Sequence, residues 1–388
     1  MRIIVVHNTY RGPGGEDAAA RLEADLLRTR GHDVCEYWRS NNELTGLRAL
    51  RAPAEAFFSP KTYFEISALI RKFAPDVIHV HNWWMVVSPS VYWAAAKSRV
   101  PVVQTLQNYR LLCPNALFLR EGLPCELCKT RRFASPGIRY GCYRNSHVQS
   151  LLVAATVTAQ AMFGTWDKRV AKYIALTEFG RKRFIDGGLP RAKLAVKPNL
   201  VAPDPGGRNR PGQYALYAGR LSEEKGIHTL LAAWRLVSDI PLKIVGDGPL
   251  MREVRDATGQ SDAIELLGWI SRQELIRVLK ASCFLVFPSV WYEGLPLTII
   301  EAFACGVPVV ASRLGAMAEI VQDQVTGLHA RPRDSRDLAA KVQWAWDNPY
   351  LMQEMGEQAR LEYLAKYAAE RNYQTLLDIY EEVRAAGV

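Results

Sequence analysis

Short apolar runs of four to six residues, each followed by a longer amphipathic stretch, recur along this chain in two series. In the first, Ile3–His7, Val77–Val80, Val102–Leu106 and Tyr173–Leu176 read as strands buried on both faces of a parallel sheet. Between them, Ala18–Arg30 carries Leu22, Leu26 and Leu27 at helical spacing and stops at Gly31, a C-cap residue. The second series holds Tyr214–Ala218, Leu242–Val245, Ile264–Leu267, Phe284–Phe287 and Val307–Ala311, with helical segments such as Ile227–Val237 and Ser271–Lys280 between them. The two are separated by Pro198–Gly212, where four prolines and three glycines in fifteen residues leave no room for a regular element. A parallel strand needs a crossover, so each series predicts a doubly wound α/β unit with its ligand edge at the carboxyl ends of the strands.

The 388 residues exceed the length at which one core keeps growing, which also points to two domains. The boundaries read as 1–198 for a first Rossmann-like domain with a cysteine-rich insertion at about 107–147, and 199–212 for the linker. They continue as 213–365 for a second such domain, and 366–388 for a C-terminal helix that packs back toward the first. No window reaches the roughly 18 to 20 apolar residues of a membrane span. Met1–His7 is too short for a signal peptide and lacks its cleavage site, so the expectation is a cytoplasmic protein.

Charge divides unevenly. Residues 1–200 hold 29 Lys and Arg against 15 Asp and Glu, a balance of +14; the remainder holds 20 against 24, a balance of −4. A basic half fits an anionic partner: nucleic acid, lipid headgroups or a phosphorylated substrate, or else a solvated surface with no partner. No basic–aromatic RNA-recognition signature is present, so nucleic acid is not expected. Residues 148–163 are strongly apolar and are followed by Lys168, Arg169 and Lys172. They read either as a buried helix of the first domain or as a helix lying on an anionic inner membrane face.

The chemistry concentrates in the second half. In Pro288-Ser-Val-Trp-Tyr-Glu-Gly-Leu-Pro-Leu-Thr-Ile-Ile-Glu301 a strand ends near Ser289, a loop follows, and Pro296 suits the first turn of a helix. Free N–H groups near Gly294 and Leu295 would then form a site for negative charge. Glu293 falls in the loop and Glu301 about two turns into the helix, so the two can grip different hydroxyls of an elongated ligand. A sugar nucleotide fits that combination; a plain capped helix with solvated glutamates is the alternative. In Tyr217-Ala-Gly-Arg-Leu-Ser-Glu-Glu-Lys-Gly226, Arg220 and Lys225 flank a turn beyond a strand end, where two cations can clamp a diphosphate or simply make a surface ion-pair loop. Gly246 in Ile244-Val-Gly-Asp-Gly-Pro249 permits close backbone approach. Gly12-Pro-Gly-Gly15 follows the first strand and is either a phosphate cradle or a tight turn; it lacks the dinucleotide spacing.

Taken together, Gly14-Gly15-Glu16, Gly219–Gly226, Gly246–Pro249, Glu293–Glu301, Ala302–Val310 and Gly327-Leu328 resemble the GT-B-fold retaining glycosyltransferases of family 4, the glycosyl transferases group 1, over most of the chain. The resemblance implies two Rossmann-like domains facing across a cleft and an enzyme that moves a hexose from a UDP- or GDP-sugar to a glycan, lipid-linked or small-molecule acceptor in polysaccharide biosynthesis. By analogy Arg220 and Lys225 hold the donor phosphates, Glu293 contacts the sugar, Glu301 binds the ribose, and amides near Gly294 and Leu295 assist. Gly15 would approach the diphosphate or acceptor from the first domain. The chemistry implied is retaining and needs no metal, and no Asp-x-Asp motif is present. One departure is Gln107, in Gln107-Asn-Tyr-Arg110, where such proteins commonly carry His; glutamine cannot carry a proton. His79 and His81 are alternatives, each also readable as a structural histidine. A relative that binds a sugar nucleotide without transferring it, and a sugar-nucleotide epimerase, are the rival readings.

Cys113, Cys125, Cys128 and Cys142 form a separate cluster in a Pro-, Gly- and Arg-rich segment. Cys125-Glu-Leu-Cys128 has the spacing of a zinc half-site, so structural zinc, reduced thiols and disulfides are the options. Cys35, Cys283 and Cys305 read as inert core residues.

Overall fold

The computed structural model describes residues 1–10, 12, 14–45, 47–237, 239–259 and 261–387, and over 47–51 the helical backbone alone. Pro13 of the Gly12–Gly15 turn lies outside the described residues. The chain divides into two compact units. Unit 1 comprises Met1–Phe118, Glu126–Leu200 and Glu370–Val388; unit 2 comprises Leu119–Cys125 and Val201–Ala369.

Unit 1 is built on six strands: β1 (Arg2–Thr9), β2 (Asp33–Ser40), β3 (Val77–Asn82), β4 (Val102–Leu106), β5 (Lys172–Ala175) and β6 (Leu194–Val196). They pair parallel in the order β2-β1-β3-β4-β5-β6. β1, β3 and β4 are central strands and nearly every residue in them is buried, which explains their Val- and Ile-rich text; polar residues among them, such as His79, His81, Gln104 and Thr105, are buried as well. β2 is an edge strand whose residues stay half-exposed; its mixed sequence, Asp-Val-Cys-Glu-Tyr-Trp-Arg-Ser, carries no pattern and was not foreseen. Helix α1 (Gly15–Thr29) starts with Asp17 accepting from the Gly14 amide at 3.1 Å and stops before Gly31, which adopts a left-handed φ of 81°. Helix α2 (His147–Met162) buries Val153, Ala154, Thr156 and Gln160 and exposes Val148, Leu151 and Met162.

Unit 2 repeats the plan with β7 (Tyr214–Ala218), β8 (Leu242–Val245), β9 (Ile264–Gly268), β10 (Ser282–Phe287), β11 (Val309–Ser312) and β12 (Gly327–Ala330). All pairings are parallel and the order is β9-β8-β7-β10-β11-β12. Helices α3 (Ile227–Trp234), α4 (Arg272–Lys280) and α5 (Leu297–Ala304) are among its crossovers. Two boundaries differ from the sequence reading for local reasons. β11 begins after Pro308, which has no N–H for the ladder, and Pro296 is the N-cap of α5 rather than part of its first turn. Glu301 is therefore the fifth helical residue, nearer the start of α5 than two full turns.

The C-terminal helix α6 (Ala369–Ala385) buries Leu376, Ile379, Tyr380 and Val383 against Ile3, Val5, Val77 and Ile174 of unit 1. It also contributes to a buried polar knot. Lys197 Nζ donates to Glu23 Oε2 at 2.6 Å and to Asn372 Oδ1 at 3.0 Å, and Asn372 Nδ2 donates to the Pro198 carbonyl. Glu23 and Lys197 are almost wholly buried. Burial alone would raise the Glu23 carboxyl, but Lys197, His79 and His81 outweigh it and hold the group well below the usual carboxylate range. The stability linked to that shift is present at neutral pH and is lost only as pH falls below the unfolded carboxylate value toward the depressed folded one.

Lys197→Met should leave an uncompensated buried carboxylate and cost about 3–5 kcal/mol in chemical denaturation, and adding Glu23→Leu should recover part of that loss. A single-variant cost under about 1 kcal/mol would show that the pair does not hold unit 1 together.

Candidate functional site

In unit 2 the strand order reverses between β7 and β10, so their crossovers leave in opposite directions and open a crevice at their carboxyl ends, where ligands of such sheets bind. The turn after β7 carries Arg220 and Lys225; the loop after β10 carries Ser289, Trp291 and Glu293. The two segments are tied together. Val290 N donates to the Glu224 carbonyl at 2.9 Å, and Ser289 Oγ lies 3.0 Å from the same oxygen. Lys225 Nζ reaches Glu293 Oε1 at 2.7 Å and Oε2 at 3.0 Å. The backbone allows this approach only through glycine. A Cβ on Gly226, whose φ is +77°, would fall 2.0 Å from the Pro288 carbonyl oxygen; the turn after β8 packs as closely on the turn after β7, where a Cβ on Gly246 would fall 1.9 Å from the Gly219 carbonyl oxygen.

Glu293 is 4% exposed and fully engaged on one side. Its Oε1 also accepts from Ser289 Oγ at 2.7 Å and Trp291 Nε1 at 2.9 Å. Among the described residues Oε2 meets only Lys225, so it is the oxygen with acceptor capacity left for a ligand hydroxyl. Lys225 lies 5.4 Å from the Trp291 ring centroid and 5.7 Å from that of Phe287, a cation packed against aromatic faces. Arg220 is exposed, and its carbonyl accepts from Tyr217 Oη.

Glu301 is nearly buried, and Arg272 Nε donates to its Oε1 at 2.9 Å. Burial raises its carboxyl above the ordinary value, with Arg272 opposing. Gly294 and Leu295 precede the N-cap Pro296 of α5. Ser289, Trp291 and Arg272 were missed from the sequence: the first two stand within four residues of Glu293 and could have been flagged as its donors, but Arg272 lies 29 residues from Glu301 with no local signal. A separate cavity of about 820 Å³, lined by Arg208, Gly212, Cys283, Trp346, Tyr350 and Arg360, lies at the strand-start edge of unit 2, away from these loops.

In unit 1, Gly15 is the first residue of α1 and is exposed. Behind it Asn108 Nδ2 donates to Glu16 Oε1 at 2.9 Å, and His7 Nε2 lies 2.6 Å from Asp17 Oδ1. Gln107 is buried at the end of β4, with Nε2 3.3 Å from His81 Nδ1 and Oε1 accepting from Asn199 Nδ2 at 3.2 Å. Glu23 Oε1 lies 2.9 Å from His79 Nδ1 and 3.1 Å from His81 Nε2, ion-pair distances; Oε1 and His81 Nε2 have no hydrogen-bond partner. Among the described residues Glu23, His79 and His81 are the set whose donor atoms converge as metal ligands would. Lys197 already neutralises this carboxylate from 2.6 Å, so a divalent ion there would sit against a buried ammonium. The cysteines do not form such a set. Cys113 is buried, its sulfur donates to Asn115 Oδ1 at 2.9 Å, and burial pushes its thiol up to about 12, with Cys128 and Cys142 close enough to contribute.

Two six-stranded parallel α/β units of this kind define a GT-B-type glycosyltransferase fold. The profile described as "Glycosyl transferase 4-like domain" matches residues 4–200 and that described as "Glycosyl transferases group 1" matches 203–362. The chain belongs to the glycosyl transferases group 1 family. It is 31% identical over 172 residues to an uncharacterised glycosyltransferase, MJ1178, of Methanocaldococcus jannaschii, covering 44% of this chain and 48% of that one. It is 29% identical over 175 residues to the alpha-D-kanosaminyltransferase of Streptomyces kanamyceticus, covering 43% and 45%. The matches thus span about half the length of these curated relatives. In fold it is similar to Anabaena Alr3699/HepE in complex with UDP, with a TM-score of 0.71, 16% identity and 98% and 100% of the two chains covered. It is also similar to the sucrose-phosphate synthase of Thermosynechococcus elongatus, with a TM-score of 0.75, 19% identity and 100% of both chains covered.

Proposed function

We propose that the protein is a retaining glycosyltransferase that takes a hexose from a UDP- or GDP-sugar held by unit 2. The observation that carries this reading is the junction at the β7/β10 switch point, where Lys225 meets a Glu293 whose Oε2 keeps acceptor capacity. Lys225 and Arg220 hold the diphosphate, Oε2 of Glu293 takes a sugar hydroxyl, Glu301 takes the ribose diol, and the backbone at Gly246, Gly294 and Leu295 lies against the phosphates. The UDP in the Alr3699/HepE structure supports a nucleotide donor.

In the reaction the bond from the anomeric carbon to the diphosphate oxygen breaks and the nucleotide leaves with the electron pair. An acceptor hydroxyl bonds to that carbon on the face the diphosphate leaves, and its proton passes to the departing phosphate oxygen. Lys225 and Arg220 stabilise the charge that grows there, so the step uses cations of the chain in place of a divalent ion. Unit 1 supplies the acceptor side through Gly15, His81 and Gln107, and the acceptor is a glycan or a lipid-linked glycan of polysaccharide synthesis. We place the protein in the cytoplasm, working at the anionic inner membrane face; the exposed Val148, Leu151, Met162 and Phe163 and the +14 balance of residues 1–200 support that contact. No described helix is long and apolar enough to cross a membrane.

With a panel of UDP- and GDP-sugars, release of nucleoside diphosphate by the wild type is the expected outcome. Lys225→Met should lower kcat/KM about ten- to a hundredfold by removing charged hydrogen bonds. Affinity for the donor should weaken on acidification at a pH above the ordinary carboxylate range of about 4.3, because Glu301 must be ionised to accept and its carboxyl is raised; Glu301→Gln should remove that part of the profile. Unchanged kinetics in both variants would overturn the assignment.

A further inference from the structure

The polar knot of unit 1 runs further than its role in folding requires. It begins at Lys197 and Glu23, passes the stacked rings of His79 and His81, whose centroids are 4.3 Å apart, and ends at Gln107 and Asn199. All of these side chains are buried, Asn199 included. His79 is satisfied at both nitrogens, by Tyr380 Oη and Thr105 Oγ1, each at 2.7 Å. His81 differs: one nitrogen faces Glu23 and the other faces Gln107.

We propose that Glu23, acting through His81, is the positioning group that fixes which way the Gln107 carboxamide points, and thereby presents an N–H of Gln107 to the ligand. The proposal rests on the reading of Gln107 as a residue of the transfer site. The logic is one of donors and acceptors. A carboxylate oxygen 3.1 Å from Nε2 of His81, at an ion-pair distance without hydrogen-bond alignment, favours the ring proton on that nitrogen, because the alternative brings a lone pair near a negative charge. The ring is neutral: burial and His79 push it down to about 4, with Glu23 only partly opposing. A neutral ring protonated at Nε2 has a lone pair at Nδ1, which can only accept, so the group of Gln107 lying 3.3 Å away must be its NH₂. The same amide orientation turns the Gln107 oxygen toward Asn199 Nδ2, which donates to it at 3.2 Å. One N–H of the amide is held by His81 and the second remains. A small cavity lined by His81, Asn82, Trp84, Gln107, Asn108 and Arg110 lies beside it. Gln107 therefore acts as a fixed hydrogen-bond donor, which needs no proton transfer.

Two measurements test this, and one is independent of activity. In protein carrying ¹⁵N-histidine, His81 should appear as the neutral Nε2–H form, unchanged from about pH 6 to 9, and should lose that preference in Glu23→Gln. Finding the Nδ1–H form, or a charged ring, in the wild type overturns the proposal. For turnover, UDP release from UDP-glucose and from each active sugar of the panel is compared in His81→Asn and His81→Phe. Both lose the contact with Glu23, but the Asn oxygen stands in for the Nδ1 acceptor. His81→Asn should retain at least about fivefold more kcat than His81→Phe at similar KM, and the difference should vanish in a Gln107→Leu background. Equal losses in the two variants, or a difference that survives Gln107→Leu, overturn the positioning role. If the wild type releases no nucleotide from any sugar, the transferase reading fails while the ¹⁵N result still decides the orientation of the ring.

Discussion

A carboxylate that is 4% exposed needs donors to replace the water it has lost, and Glu293 has three of them: Lys225, Ser289 and Trp291. That requirement organises the carboxyl end of the unit 2 sheet. Because Lys225 follows β7 and Glu293 follows β10, the ion pair joins the two strands on either side of the reversal in strand order. Gly226 lets the two backbones come close enough for the pair to form, since a side chain there would collide with the Pro288 carbonyl. The consequence is chemical. One oxygen of Glu293 is saturated and the other, among the described residues, is shared only with a cation, so a polyhydroxylated ligand with a diphosphate finds its acceptor and its counter-charge on neighbouring atoms.

Unit 1 places its charge differently. Glu23 and Lys197 neutralise one another inside the core, and Asn372 of α6 completes the lysine. A pair so enclosed contributes little net stability compared with apolar packing, yet losing one partner is costly, so it fixes one arrangement rather than adding strength. The residues it arranges, His81 and Gln107, stand at the carboxyl ends of β3 and β4. In both units, then, a buried carboxylate at the strand-end layer determines what neighbouring side chains present.

Much of this was legible in the residues. Tyr214–Ala218 and Leu242–Val245 coincide with β7 and β8, and Val102–Leu106 with β4, because central parallel strands are apolar on both faces and end abruptly. β2 escaped notice because an edge strand has one neighbour and tolerates Asp, Glu and Arg; β6, of three residues, is too short to carry a pattern. Lys225, Glu293 and Glu301 stood out because charged residues beside Gly and Pro at a strand-to-helix turn have few structural duties. What could not be read is whatever depends on closeness in space between residues far apart in sequence. Glu23 and Lys197 are 174 positions apart, and nothing around either marks it as buried. The same holds for Arg272 and Glu301, and for the contact between Gln107 and Asn199 that turns an apparent departure from the family pattern into a defined donor.

The claim on which the rest turns is that a nucleoside diphosphate binds at the β7/β10 reversal. Hydrogen–deuterium exchange with and without saturating UDP or GDP locates that binding directly. Protection is expected in 219–226, 244–249 and 293–301, the segments that bear Lys225, Gly246, Glu293 and Glu301. Protection confined to 207–212 and 345–361, around the cavity at the opposite edge of the sheet, or no protection with either nucleotide, would contradict it.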